Sequence, residues 1–356
     1  MRTLSGTLTT AQAGDQRTPY IRLVFKKGAT TVDYTSRLIR LVHVEQPYNS
    51  YARIVLDNHD RAVQDLTGFY VDIGYGYVTG AGNEYSSAPR LWVFQQSMES
   101  EEGRVESVLY LEGIWTLLTA IKDLGALGGT SPYLDVLFDG TLYTVYDLLE
   151  MVLESCCNVD LDSLGSVDDE IIDTLRPVFE VNASGGLFED AASVLYRLIN
   201  LTLCYLRPSG DYSGSKLTGF KLVHPQETDS VDYEYYSSGA SGHPFFQSFW
   251  KDNVVVPNHV YVFANQNSET GDWLGIIVGE ADYSDSEGFY DEDGDLMDIP
   301  EYTLASTLKT QNDADLRAEA IYWKRWHETE WGVAVVPHNC GQELYDKVKI
   351  YDSRGN

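Results

Sequence analysis

Carboxylates are the reactive group this chain holds in bulk. Between Glu280 and Glu301 it places ten acids and no base, and Asp291-Glu-Asp-Gly-Asp295 within that run resembles a calcium loop. Such loops hold a hard cation with oxygen ligands, and the EF-hand version needs Gly at position six and Glu at position twelve. Counted from Asp291, those positions are Leu296 and Tyr302, so the stretch reads as a solvated acidic loop. The histidines, His43, His59, His224, His243, His259, His327 and His338, are scattered. His338 and Cys340 lie two apart on a turn, but a zinc site needs three or four ligands and no third stands at a motif spacing. The chain has no Gly-x-Ser-x-Gly, no phosphate-loop signature and no His-Glu-x-x-His. Gly74-Tyr-Gly76 lacks the helix that follows it in a dinucleotide site. Carboxylate pairs could serve glycoside hydrolysis, and Trp92 or Trp250 could stack on a sugar, but neither signal is specific in a chain with 54 acids. Trp115, Trp323 and Trp326 fall on helical patterns and read as core or subunit-contact residues. No catalytic, cofactor-binding or metal-ligating residue and no cofactor is assigned, and the expectation is a protein that is not an enzyme.

The elements that carry these residues are mostly strands. Residues 1–113 alternate as an antiparallel β unit, with strands at Tyr20–Lys27, Arg37–Val44, Tyr51–Leu56 and Phe69–Tyr75. Leu91–Ser97 and Arg104–Leu111 form a hairpin about Glu101-Glu102-Gly103, and Gly80–Ser87 reads as a polar contact loop. This spacing suggests a small barrel or sandwich. Residues 114–204 change period and form an α-rich acidic insertion. A short helix starts at Ile114. Thr144 caps the next, with Asp147 completing a capping box and Val145, Leu148, Leu149, Val152, Leu153 and Cys156 on one face. Further helices are expected at Val167–Leu175 and Phe188–Asn200. Residues 205–311 return to strands, with a second β-barrel expected there. Residues 312–356 close the chain with a helix from Asp313 to about Glu330 and a hairpin: one strand from Gly332, a turn at Pro337–Gly341, and a second strand at Leu344–Tyr351. On that helix Leu316, Ala320 and Trp323, at i, i+4 and i+7, are expected to lock the hairpin onto the second barrel.

A chain of 356 residues is too long for one ordinary core, so two or three domains are expected. Twenty-five Tyr, 12 Phe and 7 Trp against 4 Met favour sheets, giving a mainly β, α+β class. The net charge of −29 argues against a conventional DNA or membrane binder. It is unevenly placed. Residues 1–53 carry eight Lys or Arg and three acids, whereas residues 123–196 carry fifteen acids and only Arg176, which points to different neighbours for the two parts. Cys156, Cys157, Cys204 and Cys340 read as reduced thiols of a protein assembled in a cytosol. The N-terminus has no apolar signal region, and no run of 18 apolar residues could span a membrane.

Several patches resemble the tail-hub, or baseplate-hub, proteins of tailed bacteriophages. They include Leu4-Ser-Gly-Thr-Leu, Tyr51-Ala-Arg-Ile-Val-Leu-Asp-Asn-His-Asp, Gly68-Phe-Tyr-Val-Asp-Ile-Gly-Tyr-Gly76 and Leu111-Glu-Gly-Ile-Trp. The sharpest is the closing Glu343-Leu-Tyr-Asp-Lys-Val-Lys-Ile350 after the Pro337–Gly341 turn. The resemblance covers most of the chain as an order of elements. It implies a homotrimer in which each subunit supplies two small antiparallel β-barrels to a pseudo-six-fold ring. That ring would join a six-fold tail tube to a three-fold tip and line the DNA exit channel. The implied partners are further copies of the chain, the tail tube or distal-tail ring protein, a tail spike, fibre or tip protein, and the tape-measure protein. The implied location is the virion's tail tip, after assembly in the host cytoplasm. A distal-tail ring or receptor-binding adaptor is the alternative, and a secreted β-rich carbohydrate-active enzyme the third reading.

Overall fold

Alternating apolar residues set the first half of the fold. The computed structural model describes residues 1–14, 16–122, 124, 136–164, 171–181, 189–210, 215–237, 248–266, 273–282, 288–305 and 308–352. A short helix α1 (Gly6–Ala13), capped by the Ser5 hydroxyl, precedes eight strands. They are β1 (Pro19–Lys27), β2 (Thr30–Asp33), β3 (Leu38–Gln46), β4 (Asn49–Asp57), β5 (Tyr70–Thr79), β6 (Gly82–Ser87), β7 (Leu91–Glu101) and β8 (Arg104–Glu112). All pair antiparallel, in the order β2-β1-β5-β7-β8-β4-β3, with β6 on β5. Leu23, Phe25, Ile54, Leu56, Val71, Ile73 and Leu109 are buried together on the inner face, as a period of two requires. Tyr34 and Tyr75 belong to the same core.

Two expectations change here. The sheet does not close into a barrel among the described residues: β2 and β3 are its two ends. Residues 336–344 and the β1 and β3 sides line a shared cleft there, and Cys340 enters the sheet's own core. Of the Gly80–Ser87 segment, Gly82–Ser87 is the strand β6 rather than a loop. Gly74 and Gly76 permit it. A Cβ on Gly76 would stand 1.8 Å from the Glu84 carbonyl oxygen, and one on Gly74 2.5 Å from the Tyr85 ring. Glycine here serves close approach of a neighbouring strand, not a cofactor.

The middle of the chain packs helices on short strands. These are α2 (Ile114–Ala120), β9 (Val136–Asp139), α3 (Val145–Glu150), β10 (Asp160–Leu161), β11 (Val178–Val181), α4 (Ala191–Ile199), β12 (Tyr205–Ser209) and β13 (Gly219–Val223). The capping box at Thr144 is present, with both the Thr144 hydroxyl and the Asp147 carboxylate accepting backbone N–H bonds. After α3 the helix widens into a π-helical segment, Met151–Cys156, so the apolar stripe stays buried while the backbone bonding changes. α4 begins after the Asp190 cap; Phe188, the expected start, lies outside the described residues. Of the helix expected at 167–175, residues 167–170 lie outside the described residues and 171–174 form a turn.

The last third contains β14 (Tyr233–Tyr236), β15 (Ser248–Asn253), β16 (His259–Gln266), β17 (Trp273–Asp282), β18 (Pro300–Ala305), α5 (Gln311–Trp326), β19 (Glu330–Val335) and β20 (Val348–Tyr351). Among the described residues these strands make separate small sheets and no closed second barrel. The final hairpin does not form. β19 pairs antiparallel with β15, and β20 pairs parallel with β14. The residues between β19 and β20 run instead into the first sheet's core, where Cys340 is buried. That long excursion is incompatible with a tight reversal.

The closing helix α5 starts behind a Thr310 cap and ends at Trp326. Ala314, Ala318 and Tyr322, at i, i+4 and i+8, lie on the β16 core with Val260, Val262 and Ala264. Ala320 and Leu316 turn to the middle core, and Trp323 is only half-buried. α5 is therefore wedged between two cores, which explains why its apolar residues do not form a single stripe. Gly279 on β17 makes room for it: a Cβ there would meet the Ala314 carbonyl at 2.1 Å.

Candidate assembly surfaces

A set of buried polar and charged groups meets where distant segments of the chain come together. Arg2 lies 3.5 Å from both Glu45 on β3 and Glu343. Arg207 on β12 lies 3.5 Å from Glu343 and 3.3 Å from Asp346, whose side chain is 2% exposed. Gln12 on α1 donates to the Asn339 side chain, and its own oxygen accepts the Cys340 N–H. One ionic and hydrogen-bonded clasp thus holds the 339–346 segment between the first sheet and the middle unit.

The adjoining cleft has a volume of about 930 Å³ and is lined by His43, Glu45, Tyr75, His338 and both Arg2 and Arg17. The Tyr75 hydroxyl shares a 2.7 Å hydrogen bond with His43 Nδ1, and the His338 ring lies 4.6 Å from that of Tyr75. Burial, reinforced by Arg2, pushes His43 down to about 4. Burial also lowers His338 and raises Glu45, against the pull of Arg2 on the latter. No sequence motif could have found the cluster, since its members come from positions 2, 43, 45, 75 and 338.

The residues singled out for chemistry are dispersed. Cys340 is buried, with its thiol pushed up to about 11 by desolvation, and Cys157 is pushed up to about 12. Asp291 spends one carboxylate oxygen on the Asp293 and Asp295 backbone N–H groups, a turn that organises its own loop. Among the described residues no group of three or more His, Cys, Asp or Glu is placed to hold a metal ion. Trp92 packs against the middle core, Trp115 is buried in it, and Trp250 is 42% exposed. Among the described residues no helix is long and apolar enough to cross a membrane.

Apolar surface is left uncovered on the outsides of the sheets. On the β17-β16-β18 sheet, Val260, Val262 and Ala264 face α5, while Ile276, Val278, Tyr302 and Leu304 face outward. Tyr261 and Tyr302 stack across neighbouring strands with ring centroids 5.5 Å apart. On the first sheet Val42, Tyr51, Phe94 and Tyr110 are exposed on the side opposite its core. Contiguous exposed apolar groups of this kind mark contact surfaces.

This architecture has counterparts among solved structures. It matches the tail protein from Neisseria meningitidis MC58 with a TM-score of 0.56 at 11% identity, covering 94% of this chain and 87% of that one. It matches the 43 kDa tail protein of prophage MuSo2 from Shewanella oneidensis with a TM-score of 0.54 at 9% identity, covering 93% and 89%. The chain has the fold of phage tail proteins. At these identities the likeness is one of fold. No family model and no curated protein matches the sequence. The likeness extends over most of both chains.

Proposed function

We propose that this protein is a structural component of a phage tail or a related injection device, a hub at the tail tip that assembles as a homotrimer. The observation that carries the reading is a tail-protein fold matched over 94% of the chain. Sheet-rich units at both ends, 1–113 and 205–311, each supply one β element to a pseudo-six-fold ring. The insertion 114–204 and the closing segment 312–356 brace them. Uncovered apolar faces on both end sheets fit a protein that works in an assembly. The net charge of −29 fits a DNA conduit, because a basic wall would hold phosphates by counterion release. In the virion its neighbours are a tail tube or distal-tail ring protein, a tape-measure protein, and a spike, fibre or tip protein. No active site is part of this reading.

The mass of the purified protein by light scattering, with particle images for symmetry, tests it. A three-subunit ring is expected. A six-subunit ring transfers the chain to the distal-tail role, and a monomer at all accessible concentrations overturns the hub. Peptidoglycan or polysaccharide hydrolysis abolished by replacing one carboxylate overturns the non-enzymatic reading.

A further inference from the structure

The cleft between the first sheet and residues 336–344 holds a guanidinium that no acid among the described residues balances. Arg17 lines this cleft and donates from Nε to the Gly14 carbonyl at 2.7 Å. Its Nη1 is buried and finds no acceptor among the described residues. The neighbours its charge acts on are Tyr77 and Tyr233, phenols that burial raises and so keeps neutral. Arg2, the second guanidinium of the cleft, is already engaged. It lies between Glu45 and Glu343, and Glu343 is shared further with Arg207 and the Met1 ammonium.

His43 brings a second unspent donor to the same cleft. Its side chain is 7% exposed, and its Nε2 is buried with no partner among the described residues. Its Nδ1 shares the 2.7 Å bond with the Tyr75 hydroxyl. Burial raises Tyr75, so the phenol keeps its proton, and the imidazole lone pair is the better acceptor of the two. With the phenol donating to Nδ1, the neutral ring carries its own proton on Nε2. Tyr75 and Tyr77 follow one another on the same face of β5, which sets them about 7 Å apart. Arg17 by Tyr77 and His43 by Tyr75 are thus mounted at neighbouring positions. Pro19, Ile21, Leu41 and Leu344 supply apolar lining between them and the rim. A cavity of about 930 Å³ with an apolar lining and a few unspent polar groups has the make-up of a ligand site.

We propose that this cleft binds a carboxylate carried on an apolar body, with the carboxylate on Arg17 and a carbonyl oxygen of the same ligand on His43 Nε2. The guanidinium fork matches a planar carboxylate. Glu45 and Glu343 line the same cleft, so it accommodates a single negative charge and repels a doubly charged phosphate. An acyl carbonyl and a carboxylate two residues apart in an extended peptide are separated by about 7 Å, the step between the two tyrosines. A buried donor without an acceptor costs free energy, and one such ligand removes that cost at both positions. A chain terminus and an acidic side chain both offer this chemistry. The site does not depend on the ring reading.

Isothermal titration of the full-length protein at low salt tests it with three probes. They are acetyl-leucyl-leucine, its C-terminal amide, and acetyl-leucyl-aspartyl amide, whose only carboxylate is a side chain. Acetyl-leucyl-leucine should bind at least about tenfold more tightly than its amide, the scale of one charge-assisted hydrogen bond. Arg17→Gln should erase that preference. His43→Phe should weaken the carboxylate and the amide alike, because it removes the bond to the carbonyl. Circular dichroism establishes that each variant is folded. If Arg17→Gln is not, the amide comparison on the wild type carries the test, since it removes the same charge from the ligand's side. If His43→Phe is not, His43→Gln replaces it. Binding of acetyl-leucyl-leucine alone assigns a chain terminus, and binding of the aspartyl amide as tightly or more so assigns an acidic side chain; either supports the site. No binding of either carboxylate overturns it. So does equal affinity for carboxylate and amide, a preference that survives Arg17→Gln, an affinity unmoved by replacing His43, or tighter binding of inorganic phosphate.

Discussion

His43 is neutral inside the fold because ionising it would place a charge in a desolvated site beside Arg2. Its folded value of about 4 lies below the ordinary 6.5, so the unfolded chain binds the extra proton in that interval. The stability this group contributes is therefore complete above about pH 6.5 and is lost as pH falls toward 4. Full protonation across that interval is worth on the order of 3 kcal/mol. Glu45 works in the other direction, since its raised value means that stability falls as pH rises through it. Tyr75 and His338 also face the ring and complete the local set. Denaturant unfolding of wild type and His43→Asn between pH 7 and 4 isolates the histidine. The wild type should lose more stability than the variant on acidification, and parallel pH profiles would place His43 in water.

At the scale of elements, α5 decides how the last third is built. Gly279 faces the helix backbone at Ala314, so Gly279→Val should destabilise the protein by about 1–3 kcal/mol or more, as overpacking does. Gly6→Ala, with nothing within 4 Å of its Cβ, is the neutral control. The helix's anchor is Tyr322, at 2% exposure, rather than the half-buried Trp323. Tyr322→Ala should cost about 3–5 kcal/mol and Trp323→Ala distinctly less. Chemical denaturation ranks the two, and the opposite order would mean that the helix is rotated about its axis from the position described.

Across the whole molecule, the clasp makes the ends of the chain interdependent. Asp346 is nearly inaccessible and shared with Arg207, while Glu343 bridges Arg207 to Arg2. Asp346 also accepts the Met1 ammonium at 2.8 Å, while Glu343 stays beside both cations, so Asp346→Ala should destabilise the protein by less than the about 3–5 kcal/mol of a buried charge left wholly unpaired. A double-mutant cycle with Arg207→Gln should show the two losses to be non-additive. Additive losses would mean that the pair does not couple. A joint of this kind fixes the first sheet against the middle unit.

The sequence by itself determined the elements whose information is local. Strands β1, β3, β4, β7 and β8 follow from a period of two, the Gly103 turn from its glycine, and α3 from the Thr144–Asp147 box, since each depends on residues within a few positions. Element order was also enough to suggest a tail-protein architecture. Only the tertiary structure decided what pairs with what. Val333 and Ile350 alternate as a hairpin's strands do, yet β19 joins β15 and β20 joins β14. Hydrophobic alternation fixes which face of a strand is buried and leaves its neighbour open. Whether the first sheet closed, and where α5 turned its residues, depended on the 339–346 clasp and on Gly279, contacts between positions hundreds and tens of residues apart. The cleft around His43 was invisible for the same reason: its chemistry exists only once residues 2, 43, 75 and 338 are brought together.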